Sequence, residues 1–111
     1  MPTPHHAPAA VKRALRKLGT DIHEARRRRR LPMSVVAERA FTSRSTLQRI
    51  EEGDPAVSIG IYAAVLQALG LLGGLTDAAD LTRDSAGQAL MTAELPSRAR
   101  PRRATPKPQN A

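Results

Sequence analysis

Cysteine and tryptophan are absent from these 111 residues, and the aromatic complement is one Phe and one Tyr, Phe41 and Tyr62. Without cysteine there is no disulfide and no thiolate metal site, which fits a reducing, cytoplasmic setting. Without aromatic bulk, a core has to be assembled from Ala, Leu, Val and Ile, which suits a helical bundle and is thin for a β-sandwich. No apolar run approaches the ~18 residues that cross a bilayer. The opening Met-Pro-Thr-Pro-His-His carries no apolar stretch of the kind a secretory signal needs. Catalytic equipment is missing too: there is no Gly-rich phosphate loop and no nucleophile beside a base. His5 and His6 sit at the proline-rich start with no further ligand at useful spacing, and His23 lies in a basic segment, where it reads as a pH-sensitive surface residue at most. No enzyme, metal or cofactor is expected.

Acidic residues are scarce where basic ones are dense. The formal net charge of +8 favours a polyanionic partner, and it is unevenly placed. Residues 11–30 carry nine Lys and Arg against Asp21 and Glu24, residues 31–95 carry four Arg against eight acids, and residues 96–111 carry five cations and no acid. The middle of the chain is therefore net acidic, flanked by two basic ends.

The stretch from Met33 to Gly53 organises the rest. Val35, Val36 and Ala40 fall at one helical spacing and Leu47 and Ile50 at another, with only Phe41-Thr42-Ser43 between them. Ser43 stands where a helix N-cap belongs, and Gly53 supplies a left-handed stop. Two short helices joined by a corner, the second of roughly ten residues, make a helix-turn-helix sized for the DNA major groove. Before it, Val11, Leu15, Leu18, Ile22 and Ala25 form one apolar stripe of a first helix, with Lys12, Arg13, Arg16 and Lys17 largely on its other faces. Gly19 weakens that helix by about 1 kcal/mol relative to Ala, so a break is expected, with a second piece opening near Thr20. Arg26, Arg27, Arg28, Arg29 and Arg30 suit either a solvated helix end facing the negative pole of the macrodipole or phosphate contact; five in a row point to phosphate. Pro32 breaks the first helix and opens the next.

After Gly53, Asp54-Pro55 signals a turn and Ser58 caps a fourth helix. Its inward stripe is Ile61, Tyr62, Val65, Leu66 and Leu69, and Gly70 stops it. A fifth short helix is expected over 76–81 and a further turn around 86–93. From Pro96 the Pro- and Arg-rich tail has almost nothing to bury and is expected to be disordered. The expected architecture is all-α: a compact bundle of about five helices with a helix-turn-helix. A flexible start (1–9) precedes a DNA-binding domain (10–82), an extension (83–95) and a basic tail (96–111).

The run Leu31 to Gly53, with Ala37, Ser43, Leu47, Ile50, Glu51 and Gly53, resembles the helix-turn-helix of phage-repressor-type (Xre, or Cro/C1-type) regulators, whose fold is lambda-repressor-like. VSIGIYAAVLQALGL resembles that family's fourth helix, so the likeness covers about residues 18–75. By position it implies base reading by Arg44, Ser45 and Arg49, with Gln48 beside them. Arginine can pair bidentately with guanine O6 and N7, worth roughly 1–3 kcal/mol of discrimination. Phosphate contact is expected from Arg27, Arg28, Arg29, Arg30, Met33, Ser43 and Thr46, and the resemblance implies an internal ion pair between Arg26 and Glu51. Two departures stand out. Met33 replaces the family's usual glutamine at the start of the second helix, and Phe41 replaces the usual turn glycine. A bulky residue at φ > 0 is an outlier, so the turn is open to rearrangement.

The stretch LGLLGGLTDAADLTRDSAGQALMTAELPSRAR resembles, more loosely, the C-terminal part of HipB-type antitoxins, which bind a HipA-like kinase toxin and their own operator. Read from the residues alone, Leu71, Leu72, Leu75 and Leu81 are more apolar surface than so small a unit needs. Such surface more often belongs to a core or a homodimer interface than to a toxin site. The function expected first is a homodimeric, sequence-specific repressor on a palindromic operator, of the HipB antitoxin kind. A stand-alone Xre-type regulator without a toxin is the second, and a basic module binding RNA or acidic proteins with little sequence preference is the third.

Overall fold

The computed structural model describes residues 6–98. They form α1 (Ala9–Arg28), α2 (Met33–Arg39), α3 (Arg44–Glu51), α4 (Ile59–Ala68), α5 (Leu72–Thr76), a 3-10 turn (Leu81–Arg83) and α6 (Ser85–Arg98), with no strand among them. The all-α expectation holds. The chain divides between Leu75 and Thr76 into two compact units. His5 and residues 99–111, most of the expected basic tail, lie outside the described residues.

The core of the first unit is aliphatic, as the lack of aromatics requires. Ile22 from α1, Val36 from α2, Leu47 and Ile50 from α3 and Val65 from α4 are its largest fully buried side chains. Tyr62 joins them, whereas Phe41 is 95% exposed. On α1 the stripe sinks progressively. Val11 is exposed, Leu15 and Leu18 are half-buried, and Ile22 and Ala25 are buried. On α2 it is Val36, Ala37 and Ala40 that turn inward, with Val35 half-buried.

The predicted break at Gly19 does not occur; α1 is continuous for 20 residues. Gly19 is there for contact rather than flexibility. A Cβ on it would lie 2.6 Å from the Ile50 carbonyl oxygen and 2.7 Å from both the Glu51 carbonyl oxygen and the Gly53 nitrogen. Gly53 answers from the other side, where a Cβ would meet the Leu15 carbonyl oxygen at 2.6 Å. Two glycines thus let the end of α3 press directly on the α1 backbone.

Four helices end alike. The amides of Arg30, Phe41, Gly53 and Gly70 bond back to Arg27, Glu38, Ile50 and Gln67, and the next amides of Leu31, Thr42, Asp54 and Leu71 reach Arg26, Ala37, Arg49 and Leu66. These are Schellman closures, which demand a left-handed residue. Gly53 (φ 79) and Gly70 (φ 77) meet that demand freely, while Arg30 (φ 54) and Phe41 (φ 56) adopt it as side-chain-bearing residues. The turn between α2 and α3 is therefore not rearranged; Phe41 takes the left-handed conformation that the family's glycine would.

The chain beyond α4 differs from expectation. The short helix spans Leu72–Thr76 and residues 77–80 are not helical. Asp80 instead caps the following 3-10 turn, its carboxylate accepting from the Thr82 amide at 3.0 Å. The 3-10 turn packs against α6, which reaches Arg98 and so passes the Pro96 at which the tail was expected to begin.

Gly19→Ala tests the α1–α3 contact, because helix propensity and packing predict opposite signs. Propensity alone predicts a gain of about 1 kcal/mol; the backbone clash predicts a loss of roughly 1–3 kcal/mol. Urea denaturation is expected to show the loss. In the same assay Phe41→Gly is expected to stabilise by about 0.5–1 kcal/mol. Relief of a left-handed cost of about 1–2 kcal/mol outweighs the added chain entropy, and an exposed ring loses little packing.

Candidate nucleic-acid interface

Ser43 begins the second helix of the pair with a hydrogen-bonded cap. Its Oγ accepts from the Thr46 amide at 3.1 Å and donates to Thr46 Oγ1 at 3.0 Å. The single Ser43 proton is thereby used, so in the 3.1 Å contact with Ser45 it is the Ser45 hydroxyl that donates. Thr46 keeps its own proton free to donate outward. Of the two hydroxyls expected at phosphate, Thr46 is thus the equipped donor and Ser43 the architectural one.

Leu47 and Ile50 anchor α3 inward, which turns Arg44, Ser45, Gln48 and Arg49 to solvent; all four are exposed. Arg44 makes no side-chain hydrogen bond among the described residues. Gln48 reaches Glu52 only at 3.5 Å, a weak contact. Arg49 is different. Its Nε donates to Asp54 Oδ2 at 2.7 Å. Met33, at the start of α2, is half-buried and packs against the core; its side chain carries no donor, which leaves its helix-start amide as the group it can offer a phosphate.

The basic run does not act as one block. Arg26 turns inward: its Nε donates to Glu51 Oε2 at 2.7 Å, one terminal nitrogen donates to Glu51 Oε1 at 3.2 Å, and the other to the Leu31 carbonyl at 3.0 Å. His23 completes the cluster with Nδ1 2.8 Å from Glu51 Oε1. An ionised carboxylate only accepts, so His23 Nδ1 carries the proton here. The 3.3 Å approach of Arg26 to that same nitrogen is then not a hydrogen bond. The Glu51 side chain is 8% exposed and that of Arg26 12%. Burial pushes the Glu51 carboxyl up, but the hydrogen bonds and charges of Arg26 and His23 outweigh it and hold the group below its ordinary value of 4.5. Arg29 folds back on α1, donating to the Ala25 carbonyl at 2.9 Å. Arg27, Arg28 and Arg30 are exposed and make no side-chain bond among the described residues.

A helix-turn-helix domain family model matches residues 17–79, more than half of the chain. The chain belongs to the helix-turn-helix domain family. At that level DNA is the partner and regulation of transcription the role. No curated protein matches the chain, and neither does any solved structure.

In this helix-turn-helix protein the expected interface leucines do not share one environment. Leu75 packs against the core, where it lines an apolar groove of about 380 Å³ with Leu15, Leu18, Val57, Ile59 and Leu66 among others. Leu72 is half-buried, Leu71 is 38% exposed, and Leu81, in the second unit, is 47% exposed. No helix of the described residues is long and apolar enough to cross a membrane, and no group of His, Cys, Asp or Glu among them is placed to hold a metal.

Three contacts escape sequence reading: His23 on Glu51, Asp54 on Arg49 and Arg29 on its own helix. Only the first left a trace, since His23 precedes Arg26 by three residues and so shares its helical face. Rather than a free surface residue, it is part of the lock between α1 and α3.

Glu51 yields a signed pH prediction. Its folded-state pKa lies below the unfolded value, so its contribution is complete above about pH 4.5 and is lost as pH falls through the folded value. Glu51→Gln is expected to cost roughly 3 kcal/mol at pH 7, the low end for removing one partner of a buried pair. The gap to wild type should narrow steadily in acid, read by urea midpoints from pH 7 downward. A gap that stays constant would mean the carboxylate charge contributes nothing.

Proposed function

We propose that this protein is a sequence-specific double-stranded DNA-binding repressor acting in the cytoplasm. The observation that carries the reading is the outward row of α3, Arg44, Ser45, Gln48 and Arg49, held over a fully buried Leu47 and Ile50 and behind a hydrogen-bonded Ser43 cap. Such a row offers bidentate and single donors to base edges from a helix of groove-fitting size. Arg27, Arg28, Arg30 and the Thr46 hydroxyl supply salt-sensitive phosphate contacts around it, with Arg29 at hand if its fold-back opens. Arg26 and Glu51 serve the fold rather than the DNA.

The protein acts as a homodimer on a palindromic operator, its two recognition helices spaced about one helical turn, ~34 Å. The partly exposed Leu71 and Leu72, the groove beside Leu75, and Leu81 in the second unit are the apolar surface available for that contact. The resemblance of residues 69–100 to HipB-type antitoxins supports a finer role: autoregulation of an operon that also encodes a HipA-like kinase toxin, which this protein neutralises. Leu81, Leu90 and Met91 give the second unit exposed apolar side chains for such a partner. DNA binding is assigned to the first unit, which ends at Leu75, and the antitoxin role to the second, which begins at Thr76.

Fluorescence anisotropy on the duplex upstream of the gene, against scrambled DNA over a salt series, tests the DNA reading. The native duplex is expected to bind on the order of 10³-fold tighter. Arg44→Ala and Arg49→Ala are expected to erase most of that ratio while leaving thermal stability unchanged. Equal binding to both duplexes would leave only a basic module of low specificity. Co-purification of a kinase encoded beside the gene separates the antitoxin from a stand-alone regulator.

A further inference from the structure

Asp54 stands in an unfavourable place for an anion. It is the third residue past the end of α3, where the macrodipole's negative pole disfavours a carboxylate. The turn explains its charge only in part: the Ala56 amide first, and Arg49 second, hold the carboxyl below its ordinary value of 3.8. Asp54 Oδ1 accepts from the Ala56 amide at 2.8 Å, and the Asp54 carbonyl accepts from the Tyr62 hydroxyl at 2.8 Å. An asparagine side chain could also make the first bond, though more weakly, and the second needs no side chain. Other cations are within reach, since Lys12 and Arg16 from α1 line the same cleft as Asp54. The carboxylate nevertheless goes to Arg49, Oδ2 to Nε at 2.7 Å, with the Arg49 side chain exposed and that of Asp54 partly so. An exposed pair of this kind adds little to stability.

What the contact does change is the guanidinium. With Nε occupied, rotation of the fork about the side chain is restricted and both terminal nitrogens remain free. That leaves an end-on pair of donors, the arrangement that meets guanine N7 and O6 together. The carboxylate also offsets the arginine's charge, which weakens attachment to any phosphate it passes.

We propose that Asp54 is a specificity-determining positioning residue: it holds Arg49 as an end-on guanine reader and restrains it from indiscriminate phosphate contact. This rests on the reading of Arg49 as a base-contacting residue. Asp54 touches no DNA itself. Its removal is therefore expected to raise affinity for random DNA while lowering selectivity, a combination that a lost structural contact would not produce.

The test is affinity selection of duplexes from a random pool by the full-length protein, followed by sequencing. Wild type, Arg49→Ala, Asp54→Asn, Asp54→Ser and the Arg49→Ala/Asp54→Asn double variant are compared, with anisotropy on random DNA and thermal melting alongside. Asn and Ser both keep an acceptor for the Ala56 amide, and neither carries the charge. Wild type is expected to prefer guanine at one position of each half-site by about tenfold, within the range of a bidentate arginine pair. Arg49→Ala should abolish that preference. Asp54→Asn and Asp54→Ser should reduce it to about twofold, bind random DNA a few-fold tighter, and steepen the salt dependence by about one unit. In the Arg49→Ala background, Asp54→Asn should change nothing further.

Should the Asp54 variants keep the wild-type guanine preference that Arg49→Ala loses, Asp54 does not position the reader and the proposal is overturned while DNA reading stands. Melting of both Asp54 variants at the assay temperature would likewise overturn it in favour of a structural role. A wild-type protein that selects no sequence at all would overturn it together with the base-reading assignment on which it rests.

Discussion

Everything that α3 can present to DNA depends on how its far end is held against α1. The hold is made twice, by steric fit and by charge. Gly19 and Gly53 remove the two side chains that would separate the backbones, and Glu51, one residue before the helix cap, receives Arg26 and His23 from the facing helix. The two parts need each other. A buried carboxylate is costly unless its partners are close and well aligned, and the backbone approach permitted by the glycines brings α1 near enough to supply them. A mobile α3 would carry the same four polar residues with no defined register toward a base edge.

The ends of the helices distribute strain in a consistent way. Where α3 and α4 stop, glycine takes the left-handed position; where α1 and α2 stop, Arg30 and Phe41 take it. The strained pair brackets α2, immediately before and after the helix that precedes the recognition helix. Each costs about 1–2 kcal/mol by the sterics of an L-residue, in a unit whose core is light. Both side chains are exposed, so packing does not compensate. The hydrogen bonds of the closures themselves, from Leu31 to Arg26 and from Thr42 to Ala37, hold the chain in these conformations.

Charge is sorted by the fold more finely than by the sequence. Five consecutive arginines look equivalent in a linear reading, yet they fall into three roles. Arg26 is consumed by Glu51, Arg29 by its own helix end, and Arg27, Arg28 and Arg30 remain open to a polyanion. The recognition helix is sorted in the same manner. Arg44 is unrestrained and Arg49 is tethered, so two residues of identical chemistry on one helix face have different freedom.

The sequence by itself determined the helical class, the helix-turn-helix and the identity of the buried stripe, because these follow from periodicity and caps. Leu47 and Ile50 had to face inward, Ser43 and Ser58 had to cap, and Gly53 and Gly70 had to turn the chain, all through interactions within a few residues. The candidate face of α3 was legible for the same reason: once the inner positions are known, the outer ones follow. Gly19 was misread because its role is a contact with residues 50 to 53, which a local propensity scale cannot register. The short helix after α4 was placed a few residues late, since Asp80 capping a 3-10 turn competes with a helix over 76–81. Which arginines are free, that His23 reaches Glu51 and that Asp54 reaches Arg49 were decided only in three dimensions. The Arg26–Glu51 pair, 25 residues apart, came from the family likeness and not from spacing. A side chain several bonds long chooses among several oppositely charged groups within reach, and only the packed backbone sets which of them is closest.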